Sequence, residues 1–375
     1  KLYFLNINPL NLQSNIVAVN THIFFNAKSF INVPQSFHDW NHPGTPLYYL
    51  TSLLFIFKTF DVGDIYSFLN IFHFFSFLIL VFSIFYFANY FKNYLSFEYI
   101  LIFLIIFSSF DTFLFSLEVV DYTNFKLSFS LLILIYFHKY LSNPNDKNLL
   151  KVIFVISLSN SFILSFLSLT IPIFLSIIYF QFKKRKFIQI IKNILFNIIS
   201  LFILNFPILG RLPKIYYNVL FSREDTSFNL FETPLLLKRF IVYIYDNNIL
   251  YLIPILTLLV LFFLSIKFIK KNNKNNLKNE VLFVLCILIL FFFIYTILAS
   301  SNTKFGIGGH EVRGTALRNI FITCSFIFVF FLIKEFKYKK TLLFLSFILM
   351  LFSHYNYIVD RNNLKNISLV KEEIL

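Results

Sequence analysis

Long apolar runs follow one another along the chain, and polar residues gather in short stretches between them. A helix that crosses a bilayer needs about 20 predominantly apolar residues. On that scale the pattern predicts about ten spans, near 65–88, 97–115, 124–141, 152–168, 169–181, 193–209, 249–269, 281–300, 318–333 and 341–355. The pair 152–168 and 169–181 is short and joined at Leu169-Thr170-Ile171-Pro172, so it reads as a tight hairpin or as one broken helix. The run 47–60 is too short to span and ends at Lys58, which predicts a helix lying along the membrane interface. Thr233-Pro234 reads as an N-cap and first-turn proline ahead of another apolar run, a second interfacial helix. No internal repeat and no soluble domain is visible. The expected fold is all-α: one polytopic transmembrane helical bundle over residues 1–375. Residues 1–64 form its first extracytoplasmic segment, and 210–248 and 301–317 form further outer loops.

Composition narrows the class. The chain is 58% hydrophobic and 14% charged, against about 45–50% and about 25% in ordinary soluble domains. That excludes a soluble enzyme, a disordered tail and a nucleic-acid-binding domain. The net charge of +15 is a topology signal. Segments 89–98, 138–151, 182–192, 267–280 and 334–340 hold 18 Lys and Arg against four acids, so they carry +14 of the +15. The positive-inside rule makes that side cytoplasmic. The expectation is therefore an integral protein of a bacterial inner membrane with its functional face outside. Cys286 and Cys324 lie inside apolar runs and form neither a zinc spacing nor a disulfide framework. The chain opens at Lys1 without a signal-peptide pattern, and we expect a preceding start segment, a first transmembrane helix.

Phe, Ile, Leu, Lys, Asn and Tyr are inflated, the bias of an AT-rich genome, so the scarce residues carry more information. All seven glycines fall in expected outer loops, four of them in GIGGHEVRG, 306–314. Six of the seven arginines are also outside; Arg185 alone is on the basic side. Arginine's planar fork binds carboxylate or phosphate bidentately, which lysine cannot do. The single tryptophan, Trp40, lies in FHDWNHPGTP, 37–46. Each feature has a plainer reading: a turn entering an interfacial helix for 37–46, a solvated flexible loop for 306–314, and solvated helix ends for Glu118 and Asp121. Asp111 falls near the outer end of a span, and an acid inside the membrane is a functional candidate. His73 and His138 read as core and interface residues.

From Asp39 onward the order of features resembles the polytopic GT-C glycosyltransferases, the protein O-mannosyltransferase and lipid A aminoarabinose-transferase types. Those enzymes have an Asp-His-Pro-Pro-like turn in the first outer loop, then an interfacial helix, a short loop and the second span. Here the sequence runs Asp39, His42-Pro43, helix 47–60, loop 61–64 and span 65–88. Glu118-Val119-Val120-Asp121-Tyr122 holds the place of an acidic stretch in the next outer loop, and Arg318-Asn319 that of a late Arg-Tyr. The family usually carries an acid soon after its first span, whereas 5–33 holds neither Asp nor Glu. Either that acid is lost, or Asp39 takes its role, or the chain is a non-catalytic relative.

The resemblance implies transfer of a sugar from a polyprenyl-phosphate-linked donor to a glycan, lipid or protein acceptor outside the cytoplasm. An acceptor hydroxyl needs a base within hydrogen-bond reach, for which Asp39 is the candidate, with His42, Glu118 and Asp121 beside it as catalytic candidates. A lipid-phosphate leaving group needs positive charge or amide donors, which His310, Arg313, Arg318, Gly308 and Gly309 offer. Asp39, Glu118, Asp121 and Glu311 are hard oxygen ligands suited to Mg²⁺ or Mn²⁺, or they orient the arginines. The expected partners are the lipid-linked donor, the acceptor and membrane lipids, with no nucleic acid. Two other classes compete: an O-antigen-type polymerase or ligase, and a non-enzymatic lipid or solute transporter with its polar site at the bilayer midplane.

Overall fold

The computed structural model describes residues 24, 27–28, 45–57, 64–108, 113, 123–162, 166–211 and 213, and single positions at 281, 284, 287, 340–341, 344, 347–348, 350–351 and 354–355. The described residues form helices and their connecting turns, with no β-strand among them. Seven α-helices follow in order: α1 Thr45–Phe57, α2 Ile65–Phe91, α3 Phe97–Ser108, α4 Thr123–Ser142, α5 Asp146–Phe162, α6 Leu167–Lys183 and α7 Phe187–Leu204. A short 3₁₀ turn, Phe206–Arg211, follows α7. Among the described residues two helices are long and apolar enough to cross a membrane: Ser67–Phe91, with mean hydropathy 2.3, and Phe187–Leu204, with 2.0. The spans expected at 249–269 and 318–333 and the helix after Thr233 lie outside the described residues.

Local signals explain where the helices begin and end. The α5 start is a capping turn: the Asn148 amide donates to Asn145 Oδ1 at 2.8 Å, and Asp146 follows in the first turn. A side-chain acceptor there satisfies a helix amide that has no backbone partner. Helix α5 therefore begins six residues before the apolar stretch that predicted it at 152. Helix α6 runs through Pro172, so the proline does not break it. Of the two readings of 152–181, a hairpin of separate helices is the one observed. At its other end α6 closes in a Schellman turn. The Lys186 amide donates to Gln181 O at 3.0 Å and the Arg185 amide to Phe182 O at 2.9 Å. Helix α7 starts directly after that turn, ahead of the expected 193. Lys192 belongs to the helix and not to the loop, since a long lysine stem can lie along apolar surface with its ammonium outside.

Helix α4 is the hub. Its residues from Asn124 to Leu131 are all buried, and it packs most extensively against α2 and α5. The α2 and α4 pairings run in the same sense along both helices. Phe72 stacks on Phe125 at 5.9 Å, Asn124 Nδ2 donates to Ser76 Oγ at 2.9 Å, and Tyr90 OH meets His138 Nδ1 at 2.8 Å. The two helices therefore lie parallel, and α3 returns the chain between them, with Phe103 stacked on Phe87 at 4.4 Å. Helix α7 packs on α5, where Ser157 Oγ donates to Asn197 Oδ1 at 2.6 Å. At the end of α7, Asn205 Nδ2 donates to Ser161 Oγ at 2.8 Å. A relay ties α4, α6 and α7: Asn193 Nδ2 donates to Gln181 Oε1 at 2.7 Å, and Gln181 Nε2 to Tyr140 OH at 3.3 Å.

Helix α7 has the reverse of the pattern expected of a water-facing helix. Asn193 and Ser200 are its buried residues, while Ile188, Ile191, Leu195, Ile199, Phe202 and Ile203 are exposed. A contiguous apolar face of this kind needs an apolar surrounding. This agrees with membrane association, and α2 and α7 are the helices that carry that conclusion. Gln181→Leu keeps volume but strips both partners from the relay, leaving Tyr140 OH and Asn193 Nδ2 buried. The expected cost is about 1–3 kcal/mol, read as a lowered unfolding midpoint of the detergent-solubilised chain. An unchanged midpoint would show that the relay does not hold these helices.

Candidate functional site

The residues singled out from the sequence for chemistry come mostly from the stretches expected to form outer loops. Asp39, His42, Glu118, Asp121, Gly308, Gly309, His310, Glu311, Arg313 and Arg318 all lie outside the described residues, as does Asp111. What the structure describes is the scaffold on either side of two of these stretches. Thr45, the ninth residue of the 37–46 stretch, opens α1 two residues after Pro43, and Thr123 opens α4 two residues after Asp121. Helix α1 is tied to the start of α2 by Phe55 and Phe68, 5.1 Å apart, with Phe24 against both. The start of α4 is tied to α2 by the Phe72–Phe125 stack. The two stretches thus feed helices anchored on the same half of α2.

That end of the α2–α4 seam carries buried polar groups. Lys126 is 5% exposed, Asn124 0% and His73 2%. Asn124 Nδ2 holds Ser76 Oγ, which itself donates to His73 O at 2.8 Å. Asn124 Oδ1 is buried and has no hydrogen-bond partner among the described residues. The serines are satisfied by their own helix: Ser128 Oγ donates to Asn124 O at 2.7 Å and Ser130 Oγ to Lys126 O at 2.6 Å. A buried cation in an apolar helix is costly, and within a membrane it marks function more often than packing. The sequence held a signal for Lys126, as the only charge in the run from Thr123 to Phe137.

The opposite half of the same seam holds a second cluster. Lys139 Nζ donates to Tyr86 OH at 2.7 Å and lies 5.0, 4.8 and 5.1 Å from the ring centres of Tyr86, Tyr90 and Tyr136. His138 sits between Tyr90 and Tyr94, its Nε2 3.3 Å from Ser142 Oγ. This is an aromatic cage already filled by the chain's own ammonium, so its role is to clasp α2 to α4. The expected reading of His73 as a core residue and of His138 as an interface residue agrees with both positions. Among the described residues no group of three His, Cys, Asp or Glu side chains is placed to hold a metal ion.

One small cleft opens between the turn before α5 and the turn before α7, lined by Tyr140, Asn145, Asp146, Lys184, Lys186 and Gln189 among others. Its free volume is ≈ 10 Å³, room for about one water, so it does not hold a sugar.

Comparison of the chain with family models, with curated proteins and with solved structures returns no match.

Lys139→Met removes the hydrogen bond to Tyr86 and the three ring contacts. The expected loss is about 0.5–1 kcal/mol, seen as a small drop in the thermal midpoint that Lys139→Arg largely restores.

Proposed function

We propose that the chain is a polytopic membrane glycosyltransferase of the GT-C type. It would move a sugar from a polyprenyl-phosphate-linked donor to an acceptor on the extracytoplasmic side. The observation that supports this most is the succession at 45–91. Helix α1, Thr45–Phe57, begins directly after the Asp39 and His42-Pro43 stretch, and α2 takes over at Ile65. This is the order of turn, interfacial helix, short loop and span on which the resemblance rests. The buried Lys126 adds a cation near the start of α4, five residues after Asp121.

In this reading Asp39 takes the proton of the acceptor hydroxyl, with His42 beside it in the same turn. The hydroxyl oxygen bonds to the anomeric carbon as the bond from that carbon to the phosphate oxygen breaks. Polyprenyl phosphate leaves, its charge met by Arg313, Arg318, His310 and the amides of Gly308 and Gly309. Glu118, Asp121 and Glu311 would hold a divalent cation, which supplies further positive charge to the phosphate. The apolar helices take the polyprenyl chain.

The test is sugar transfer in membranes supplied with a polyprenyl-phosphate sugar. Asp39→Asn is expected to lower transfer by about 10²-fold or more, the usual contribution of a general base, at unchanged protein level. Arg313→Lys keeps the charge but loses the fork, so donor affinity falls. Lys126→Met is expected to lower transfer, and the unfolding midpoint measured beside it separates loss of the cation from loss of packing, since removing one member of a buried interaction is itself destabilising. Full transfer by Asp39→Asn removes the base assignment, and full transfer by Lys126→Met removes that cation from the site.

A further inference from the structure

We propose that the turn joining α6 to α7 is a headgroup site for an anionic phospholipid, with the acyl chains lying along the outward face of α7. The inference rests on α7 spanning a membrane and is independent of the glycosyltransferase reading.

The first support is charge. Lys183, Lys184, Arg185, Lys186 and Lys192 are all exposed, and no acid occurs from 182 to 211. Asp146, at the start of α5, is the acid that lines the adjoining cleft. The lysines are laid against rings, Lys184 Nζ 4.4 Å from the centre of Phe180 and Lys183 Nζ 5.7 Å from that of Tyr179. Stems packed on apolar surface with charged heads at its edge suit a boundary between hydrocarbon and water. Clusters of this size beside a span attract anionic headgroups, each cation near the surface adding to the attraction.

The second support is the backbone. Arg185 has φ 57, at the position of the Schellman turn that glycine normally fills, because any Cβ there meets steric resistance. The residue retained there has a fork that binds a phosphate bidentately. The third support is the surface that follows. Ile188, 72% exposed, opens an apolar face that continues through Ile191, Leu195, Ile199 and Phe202 to Ile203. A ligand matching both surfaces is anionic at one end and apolar along its length, which selects a phospholipid over a free anion.

Arg185→Gly separates binding from folding. Glycine suits the left-handed backbone, so the unfolding midpoint should stay or rise while a phosphate contact is lost. The full chain in neutral detergent is titrated with phosphatidylglycerol or phosphatidylcholine of the same acyl chains, and bound lipid is counted by native mass spectrometry. We expect phosphatidylglycerol to bind at least about fivefold more tightly, with the preference shrinking as salt rises. Arg185→Gly should reduce it by about fivefold, the equivalent of one cation, and Lys184→Gln with Lys186→Gln further. Equal binding of the two lipids, or an unchanged preference in Arg185→Gly, overturns the site. Competition by millimolar inorganic phosphate also overturns it, in favour of a free anion. A chain that stays soluble without detergent and binds neither lipid overturns the spanning assignment of α7 as well.

Discussion

A polar side chain inside an apolar bundle has two ways to be satisfied: the backbone of its own helix, or a neighbouring helix. Water is not available there, and an unmet donor costs more than a met one gains. Both ways are used here, and the second fixes which helices meet. The buried hydroxyls of Ser76, Ser83, Ser128 and Ser130 turn back onto carbonyls three or four residues earlier. Asparagine and glutamine cannot be satisfied this way in full, so they reach across. Asn124 meets Ser76, Asn160 meets Thr170, Asn193 meets Gln181, Asn197 meets Ser157 and Asn205 meets Ser161. Aliphatic packing alone would tolerate many rotations of one helix on another. An amide with one acceptor in reach does not.

The same constraint explains why α7 faces inward with its asparagines and outward with its isoleucines. The polar positions 193, 197 and 200 fall on one side of the helix, where Asn193 bonds to α6, Asn197 to α5, and Ser200 is buried. The apolar positions are left for the surroundings. Helix α4, with partners on several sides, has no such outward face over its first two turns. It can carry Lys126 and Asn124 because neighbours enclose them. The α2–α4 seam thereby becomes polar at both ends, with a buried lysine at one and a tyrosine-held lysine at the other.

How much of this was readable in advance depends on which force sets each feature. Helix existence was readable, because apolar length decides it: 124–141 and Thr123–Ser142 are nearly the same helix, as are 47–60 and Thr45–Phe57. Helix ends were less so. The start of α5 is set by the Asn145 cap within a polar stretch, and the start of α7 by the Schellman turn after Lys184, neither of which a hydropathy window registers. The proline at 172 suggested a break that the helix absorbs. Of the candidate site only the neighbouring helices α1 and α4 are described, since every residue proposed for its chemistry lies outside the described residues. Lys126 escaped notice because a single lysine in an apolar run reads as noise until its burial is known.

By itself the sequence determined that the described residues are helical and that at least two of their helices are apolar enough to cross a membrane. Those are properties of local composition, and each residue contributes to them without regard to distant ones. Only the tertiary structure decided that α2 and α4 run parallel as one seam, that α7 packs with its polar side inward, and that Lys126 is enclosed. Arg185 occupying the glycine position of a turn was likewise invisible in the sequence. The helix pairings follow from contacts between residues 10 to about 50 positions apart, such as Asn160 with Thr170 and Tyr90 with His138. A hydrogen bond is short and directional, so it exists only once the packing has brought its two groups together.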